Sequence, residues 1–494
     1  MVSGCLFLGG NLVRKGEHPE VLVVSKAMVP PWDDGTKTLV RELVENARGF
    51  RFRVPVPKGM EDVWRENFLL NRVIPWPVYP ALDVGGEGGD VSGKGEMGGM
   101  GGMGGSVGGA GGGGGLRNAA QGAPPSMREK LELMVRLLMV RGVSLRHFFF
   151  APNMLSSMAS KLVKKLRGGP VIQTVCSAPK SYAGVERLLF GDRVVVLSED
   201  TLNKTTLAGI SRERLRLIPP GVSVPAELDD EVILRTRRKY GIKDGERCVL
   251  YAGDYDFSQA ARTTLEAAVR GCGRDDRVCF IFAGRIKNEM SADLEQRMKA
   301  LVAQKGLADR VVFYNLLEDF LDLLGAVDVT VLPAESVYAK VDLPLTLLEA
   351  MARKTPVIVA DSGPLPELIR DGSKESGSVK GGEAKGGEAK GGEVKGGEGE
   401  GELGLGSGSG LGSGNDDGMG DFGVNEKFGS TGFRGGMVVP PQDAEKLSDA
   451  LLSLLGNGRW LREMGEEARE VVKERFSSEV MAGAYEDLYR ELLT

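Results

Sequence analysis

The sequence predicts an α/β protein of two doubly wound parallel-sheet domains facing across a cleft, interrupted by two glycine-rich insertions. Three observations predict it. Of 494 residues 72 are glycine, about twice the usual share, but 45 of them fall in residues 85–125 and 371–436. The other 387 residues hold 27 glycines, an ordinary globular proportion. In that remainder, short β-branched runs alternate with amphipathic segments, as in a parallel sheet covered on both faces. The alternation restarts after IPPGVSVP (218–225), which calls for a second unit of similar size.

VLVVS (21–25) reads as a buried strand and TKTLVRELVEN (36–46) as the helix after it. HFFFAP (147–152), PVIQTVC (170–176) and DRVVVLS (192–198) read as strands, with SSMASKLVKKL (156–166) as a helix among them. In the second unit, RCVLYAGD (247–254), RVCFIFAGR (277–285), RVVFYN (310–315), VDVTVLPA (327–334), TPVIVAD (355–361) and GMVVPP (436–441) read as strands. ARTTLEAAVRG (261–271), ADLEQRMKALVAQKG (292–306), QDAEKLSDALLSLLGN (442–457) and WLREMGEEAREVVKERF (460–476) read as helices. The domain expectation is residues 1–198, then 199–476, then a closing helix over 477–494. Ligands of such sheets bind at the C-terminal strand ends.

The first insertion precedes MREKLELMVRLLMV (127–140), and the second separates LPELIRDG (365–372) from GMVVPP. The second contains KGGEAKGGEAKGGEVKGGE, with one Lys and one Glu every five residues. Such sequence buries too little apolar surface to offset its ordering entropy, so both insertions are expected to be flexible, solvated loops.

The chain carries a formal charge of −5, the insertions contribute −6, and the remainder is near +1. That balance gives no argument for nucleic-acid binding. Five scattered cysteines without CxxC suggest reduced thiols and no zinc site, and His18 and His147 are too few for histidine-based catalysis. No apolar run reaches 18 residues and no signal peptide is evident, so a cytoplasmic protein is expected. MREKLELMVRLLMVRG and KLVKKLRGG offer basic surface to the inner face of an anionic membrane or to a lipid-linked acceptor. Core-packed helices with solvated Lys and Arg are the competing reading.

The stretch with most chemistry is KVDLPLTLLEAMARKTPVIVADSGPLPELI (340–369). A loop at a strand end leads through Pro344 into a helix starting near Leu345, whose free N–H groups and dipole favour an anion such as a diphosphate. Glu349, one turn in, carries a carboxylate suited to accept two neighbouring hydroxyls, as on a ribose. An ordinary surface glutamate and, for Asp342, a simple helix cap are the alternatives.

These residues resemble the retaining GT-B glycosyltransferases of the large group 1 family (family 4), over nearly all of the chain outside the insertions. MVPPWDDGTKTLVREL (28–43) is similar to the family's glycine loop, and DRVVVLSEDTLNKTTLAGISRERLRLIPPGVSVP (192–225) to its entry into the second domain. The resemblance implies transfer of a sugar from a nucleoside-diphosphate sugar to a carbohydrate or lipid-linked acceptor, with retention and without a required metal or other cofactor. It implies that Glu349 binds the donor ribose, that the loop before it contacts sugar and diphosphate, and that the departing phosphate helps take the acceptor proton. Gly35 and Lys37 stand in the glycine loop.

The sequence departs from the family at several positions. Val341 stands where a second glutamate is usual, flanked by Lys340 and Asp342, so the sugar contact shifts to Asp342 or is lost. The arrangement resembles a variant subgroup with K-x-D-x-P-L. Asp254 and Gln259 stand where the family has an arginine and a lysine, leaving Arg285, Lys287 and Lys340 as the candidate diphosphate cations. Cys176 replaces a histidine near the donor sugar. A non-catalytic scaffold on this fold, or a sugar-nucleotide epimerase, are the rival readings. An NAD enzyme is disfavoured because no strand is followed by G-x-G-x-x-G and a suitably placed acid.

Overall fold

The structure is a computed structural model that describes residues 5–8, 11–14, 18–28, 34–62, 72–79, 127–151, 153–315, 317–338, 340–370 and 433–494. The flexible-loop expectation for 85–125 and 371–436 lies outside the described residues, apart from Phe433–Gly436.

After an antiparallel pair, β1 (Cys5–Leu8) and β2 (Asn11–Arg14), the first domain follows. Its elements run β3 (Glu20–Val24), α1 (Gly35–Asn46), β4 (Arg51–Pro57), β5 (Val73–Tyr79), α2 (Met127–Met139), β6 (Leu145–Phe149), α3 (Met154–Arg167), β7 (Val171–Val175), β8 (Arg193–Val196), α4 (Glu199–Leu207) and β9 (Leu215–Leu217). They form one parallel sheet in the order β5-β4-β3-β6-β7-β8-β9. The sheet therefore extends past residue 198, where sequence patterning set the boundary. Val194–Val196 pair with Leu215–Leu217.

Strands β4 and β5 carry Pro55, Pro57, Pro75 and Pro77. Proline donates no ladder hydrogen bond, so it is confined to strand edges and irregularities. Here β3 pairs with β4 only through Glu20–Leu22 and Arg51–Arg53, short of Pro55, and β5 is the edge. The register between β4 and β5 shifts at Val56/Pro57.

The second domain runs α5 (Asp230–Lys239), β10 (Arg247–Ala252), α6 (Ala260–Arg274), β11 (Val278–Ala283), α7 (Glu289–Gln304), β12 (Val311–Tyr314), α8 (Phe320–Ala326), β13 (Val329–Leu332), α9 (Leu345–Ala352), β14 (Val357–Ala360), β15 (Gly436–Val439), α10 (Ala444–Gly456) and α11 (Gly458–Val471). Its parallel sheet has the order β12-β11-β10-β13-β14-β15. The strand order reverses at β3/β6 in one sheet and at β10/β13 in the other, and loops beyond such reversals form the ligand crevice.

A π-helical turn (Val472–Phe476) leads into α12 (Ser478–Leu493), which packs on the first domain. Tyr485, Leu488 and Tyr489 are buried there against Val21, Leu43, Phe50 and Phe52. His147 bridges Tyr489 and Thr174 through its two ring nitrogens, each at 2.7 Å. It is fully buried, and burial drives its protonation well below the ordinary range.

The outgoing and returning crossovers between domains run side by side. Val222 N–H donates to Phe476 O and Ser478 N–H to Val222 O, at 2.8 and 3.0 Å. A Cβ on Gly221 would meet Ser477 O and Met481 Cβ at 2.8 Å, so the glycine of Pro-Pro-Gly is required by close approach.

Candidate active site

Three cations converge on one carboxylate at the strand ends of the second domain. Asp254 follows β10 and is buried. Lys287 Nζ lies 2.6 Å from its Oδ2, Arg285 Nε lies 3.7 Å from its Oδ1, and Lys340 pairs with the same carboxylate. The three come from the loops after β11 and β13. Lys340 also stands 4.7 Å from the Phe257 ring centroid, within cation–π range.

Local packing fixes this geometry. Tyr251 donates to Asp254 O at 2.9 Å, and Asn288 donates to Asp256 at 2.8 Å while capping α7. A Cβ on Gly284 would meet the Tyr255 ring at 2.2–2.6 Å, so only glycine lets this ring lie across the next loop. Three cations gathered at the strand ends are suited to a polyanion. Gln259, at a position where the family has a lysine, instead donates its backbone N–H to both oxygens of Glu335, at 3.0 and 3.1 Å.

Nine residues after Lys340, Glu349 projects from α9. The helix is capped by extended Pro344, and Leu345 is buried in its first turn. Among the described residues no hydrogen bond or ion pair reaches the Glu349 carboxylate. Burial pushes its pKa up to about 7, Glu42 adds to the rise, and Arg41 and Arg353 oppose it. A half-buried carboxylate without a donor is a ready acceptor for substrate hydroxyls.

The opposite wall is the N-terminus of α1. Asp34 caps it, accepting from the N–H groups of Thr36 and Lys37 at 2.9 and 3.3 Å and from Lys26 Nζ at 2.6 Å. Burial opposes ionisation of Asp34, but Lys26 and these donors together hold its pKa below the usual value. A Cβ on Gly35 would stand 2.6 Å from Val341 Cγ2. Gly35 thus provides an interdomain contact with the residue in the place of the family's first glutamate. Lys37, beside it in the glycine loop, is buried.

Asp342 and Cys176, two further candidates, are both buried. Asp342, expected at the sugar, turns its buried carboxylate to the first domain. It accepts from Ala178 N–H at 2.9 Å, Ser198 Oγ at 2.9 Å and Thr201 Oγ1 at 2.5 Å. Burial raises its pKa, and those donors counteract the rise. Cys176, expected near the donor sugar, lies in the apolar core with its thiol pushed up to about 12 by burial. A small thiol at the end of a β-branched run belongs with that run's buried face.

Sequence reasoning missed Glu367 and Glu42. Glu367 accepts from the N–H groups of Glu199 and Asp200 at 2.7 and 2.8 Å, capping α4 from the other domain. Burial raises its pKa to about 7 despite these bonds, with Glu199 and Asp200 adding to the rise. Glu42 accepts from Ser223 and Ser478, one on each crossover, at 2.8 and 2.6 Å. No local signal reveals such partners, which lie 168 and 436 residues away at the furthest.

Residues 232–382, which hold the cationic cluster and Glu349, match the sequence pattern of glycosyl transferases group 1. Residues 232–382 are thus similar to the group 1 glycosyltransferase domain. Over 206 residues it is 29% identical to D-inositol 3-phosphate glycosyltransferase of Acidothermus cellulolyticus, covering 39% of this chain and 44% of that protein. Over 97 residues it is 38% identical to the lipopolysaccharide core biosynthesis mannosyltransferase LpsB of Rhizobium meliloti, covering 20% and 26%. The matches span less than half the length of these relatives. The fold is GT-B. Anabaena Alr3699/HepE, solved with UDP and glucose, superposes with a TM-score of 0.62 at 12% identity, over 96% of this chain and all of that one. Sucrose-phosphate synthase of Thermosynechococcus elongatus gives 0.56 at 19%, over 96% and 99%. Among the described residues, no three His, Cys, Asp or Glu side chains gather to hold a metal, and no helix is long and apolar enough to cross a membrane.

Proposed function

We propose that this chain transfers a hexosyl group from a nucleoside-diphosphate sugar to a carbohydrate or lipid-linked acceptor, with retention and without a metal. The observation that carries the reading is the convergence of Arg285, Lys287 and Lys340 at the strand ends of the second domain. That cluster suits the diphosphate, and the Glu349 carboxylate suits the ribose hydroxyls. The UDP and glucose held by the Anabaena relative of this fold support the same donor class.

In the transfer, the bond from the anomeric carbon to the β-phosphate oxygen breaks and a bond to the acceptor oxygen forms on the same face. The acceptor hydroxyl proton passes to the departing phosphate oxygen. Charge accumulates on the diphosphate, where the three cations stabilise it. The incoming phosphates compete with Asp254 for these cations, so Asp254 acts as their internal counterion in the absence of donor. The Gly35–Val341 contact favours a second reading, a nucleotide-binding scaffold, because an apolar side chain fills the place of an acid.

A thermal-shift screen with UDP, GDP, ADP and their sugars tests the proposal. Nucleotide at about 100 times its Kd adds roughly 2.7 kcal/mol, and Glu349→Ala is expected to remove most of the shift. No shift with any nucleotide would refute both readings. Binding without sugar transfer or donor hydrolysis would leave the scaffold.

A further inference from the structure

Helix α3 is built inside out. Its buried positions include Ser157 and Ser160, 0% and 5% exposed, alongside Val163. Its solvent face carries Met154, Leu155, Met158, Leu162 and Leu166, with Met158 62% and Leu166 59% exposed. Residues 154, 158, 162 and 166 recur every four positions, so they form one stripe along the helix. Five of the fourteen large apolar side chains exposed among the described residues lie on this one helix. Single exposed apolar residues are ordinary, whereas a continuous row marks a surface that meets something apolar.

The charges say what it meets. Lys161, Lys164, Lys165 and Arg167 are the helix's only charged residues, and all are basic. Lys161 and Lys165 fall beside the stripe at helical spacing, while Lys164 lies on the flank and pairs with Asp192 at 2.6 Å. The Lys161 ammonium donates to a neutral carbonyl, Arg187 O, at 2.6 Å. Large aliphatic side chains edged by lysines, with no acid among them, match an anionic bilayer surface. The apolar row enters the acyl boundary and the ammonium groups meet lipid phosphates. A polar protein partner would leave the row unsatisfied. Neighbouring α2 adds exposed Met139 and Val135.

We propose that α3 docks this chain peripherally on an anionic membrane, through Met154, Leu155, Met158, Leu162 and Leu166 flanked by Lys161 and Lys165. The inference stands on this helix alone and does not depend on the transferase reading.

Co-sedimentation of the full chain with phosphatidylcholine vesicles containing phosphatidylglycerol tests it, with pure phosphatidylcholine as reference. Binding is expected to the mixed vesicles, to weaken steeply with salt, and to be much weaker on pure phosphatidylcholine. Met158→Ser with Leu162→Ser is expected to weaken it by roughly tenfold or more. Lys161→Glu with Lys165→Glu should abolish the preference for anionic lipid. These side chains lie on the solvent face, so both variants are expected to keep the wild-type unfolding midpoint, which serves as the folding control. Failure of the wild type to bind mixed vesicles would overturn the proposal, as would binding unchanged in both double variants. Wild-type dimers that the serine variant dissociates, with no vesicle binding, would assign the stripe to a second copy. Vesicle binding only after removal of residues 85–125 would assign it to that segment.

Discussion

Gly35 and Val341 meet across the two domains so closely that a Cβ on Gly35 would lie 2.6 Å from Val341 Cγ2. Gly35→Ala is therefore expected to destabilise the chain by about 1–3 kcal/mol, the usual cost of overpacking. Val341→Ala in the same chain should recover most of that loss. Chemical unfolding of both single variants and the double variant measures the coupling. Additive losses would mean the contact does not hold the domains together.

Asp254 offers a second test. Replacing it with asparagine leaves Arg285, Lys287 and Lys340 without their shared counterion. The free chain should unfold at lower temperature, while UDP or GDP binds several-fold more tightly and with steeper salt dependence. Arg285→Ala and Lys287→Ala should weaken nucleoside diphosphate far more than nucleoside. Weaker nucleotide binding by Asp254→Asn would show instead that Asp254 positions the cations.

The two raised glutamates give a pH signature. With Glu349 and Glu367 near 7 in the folded chain and at an ordinary 4.5 when unfolded, the folded state holds more protons between those values. Stability should therefore fall as pH rises from about 4.5 to 7. Glu349→Gln should flatten the slope measured by urea unfolding at pH 5–8. Nucleoside hydroxyls donate to the ionised carboxylate, so nucleoside affinity should increase through pH 7 with release of a proton. A pH-independent affinity would remove Glu349 from the ribose site.

Asp342 links the domains through three first-domain donors. Asp342→Ala leaves Ala178 N–H and two buried hydroxyls without their acceptor, and is expected to cost about 2–4 kcal/mol. Ser198→Ala with Thr201→Val should reproduce much of this loss. If Asp342→Asn instead left stability unchanged and abolished turnover, its role would lie at the sugar.

Arg370 and Phe433 form an antiparallel bridge, and Arg434 N–H donates to Ile369 O at 2.6 Å. The chain thus leaves and re-enters the second domain at adjacent positions, which a short turn can join. Deleting 373–432 with a two-glycine join should leave the unfolding midpoint and nucleotide binding close to wild type. Arg434 must stay, because it pairs with Glu474 at 2.9 Å. A loss of nucleotide binding in this deletion would assign the segment a part in the site.

Local sequence carried the alternating elements because the buried strands are short runs rich in β-branched residues, as in Val171–Val175. It failed at β4 and β5, whose prolines argue against a strand until pairing shows them beyond the β3 ladder and on the edge. It also failed at β9, three residues long, which is a strand only because β8 lies beside it.

The sequence by itself determined the two-sheet architecture and marked out the glycine-rich segments and the candidate residues, because periodicity, turn chemistry and residue type are local properties. Tertiary structure alone decided what those residues do to one another. It set Asp254 among three cations, Asp342 against the first domain, Cys176 in the core and Gly35 against Val341. It also left the apolar row of α3 facing solvent. A charge's partner and a side chain's burial depend on chain segments hundreds of residues apart, and no local pattern records that distance.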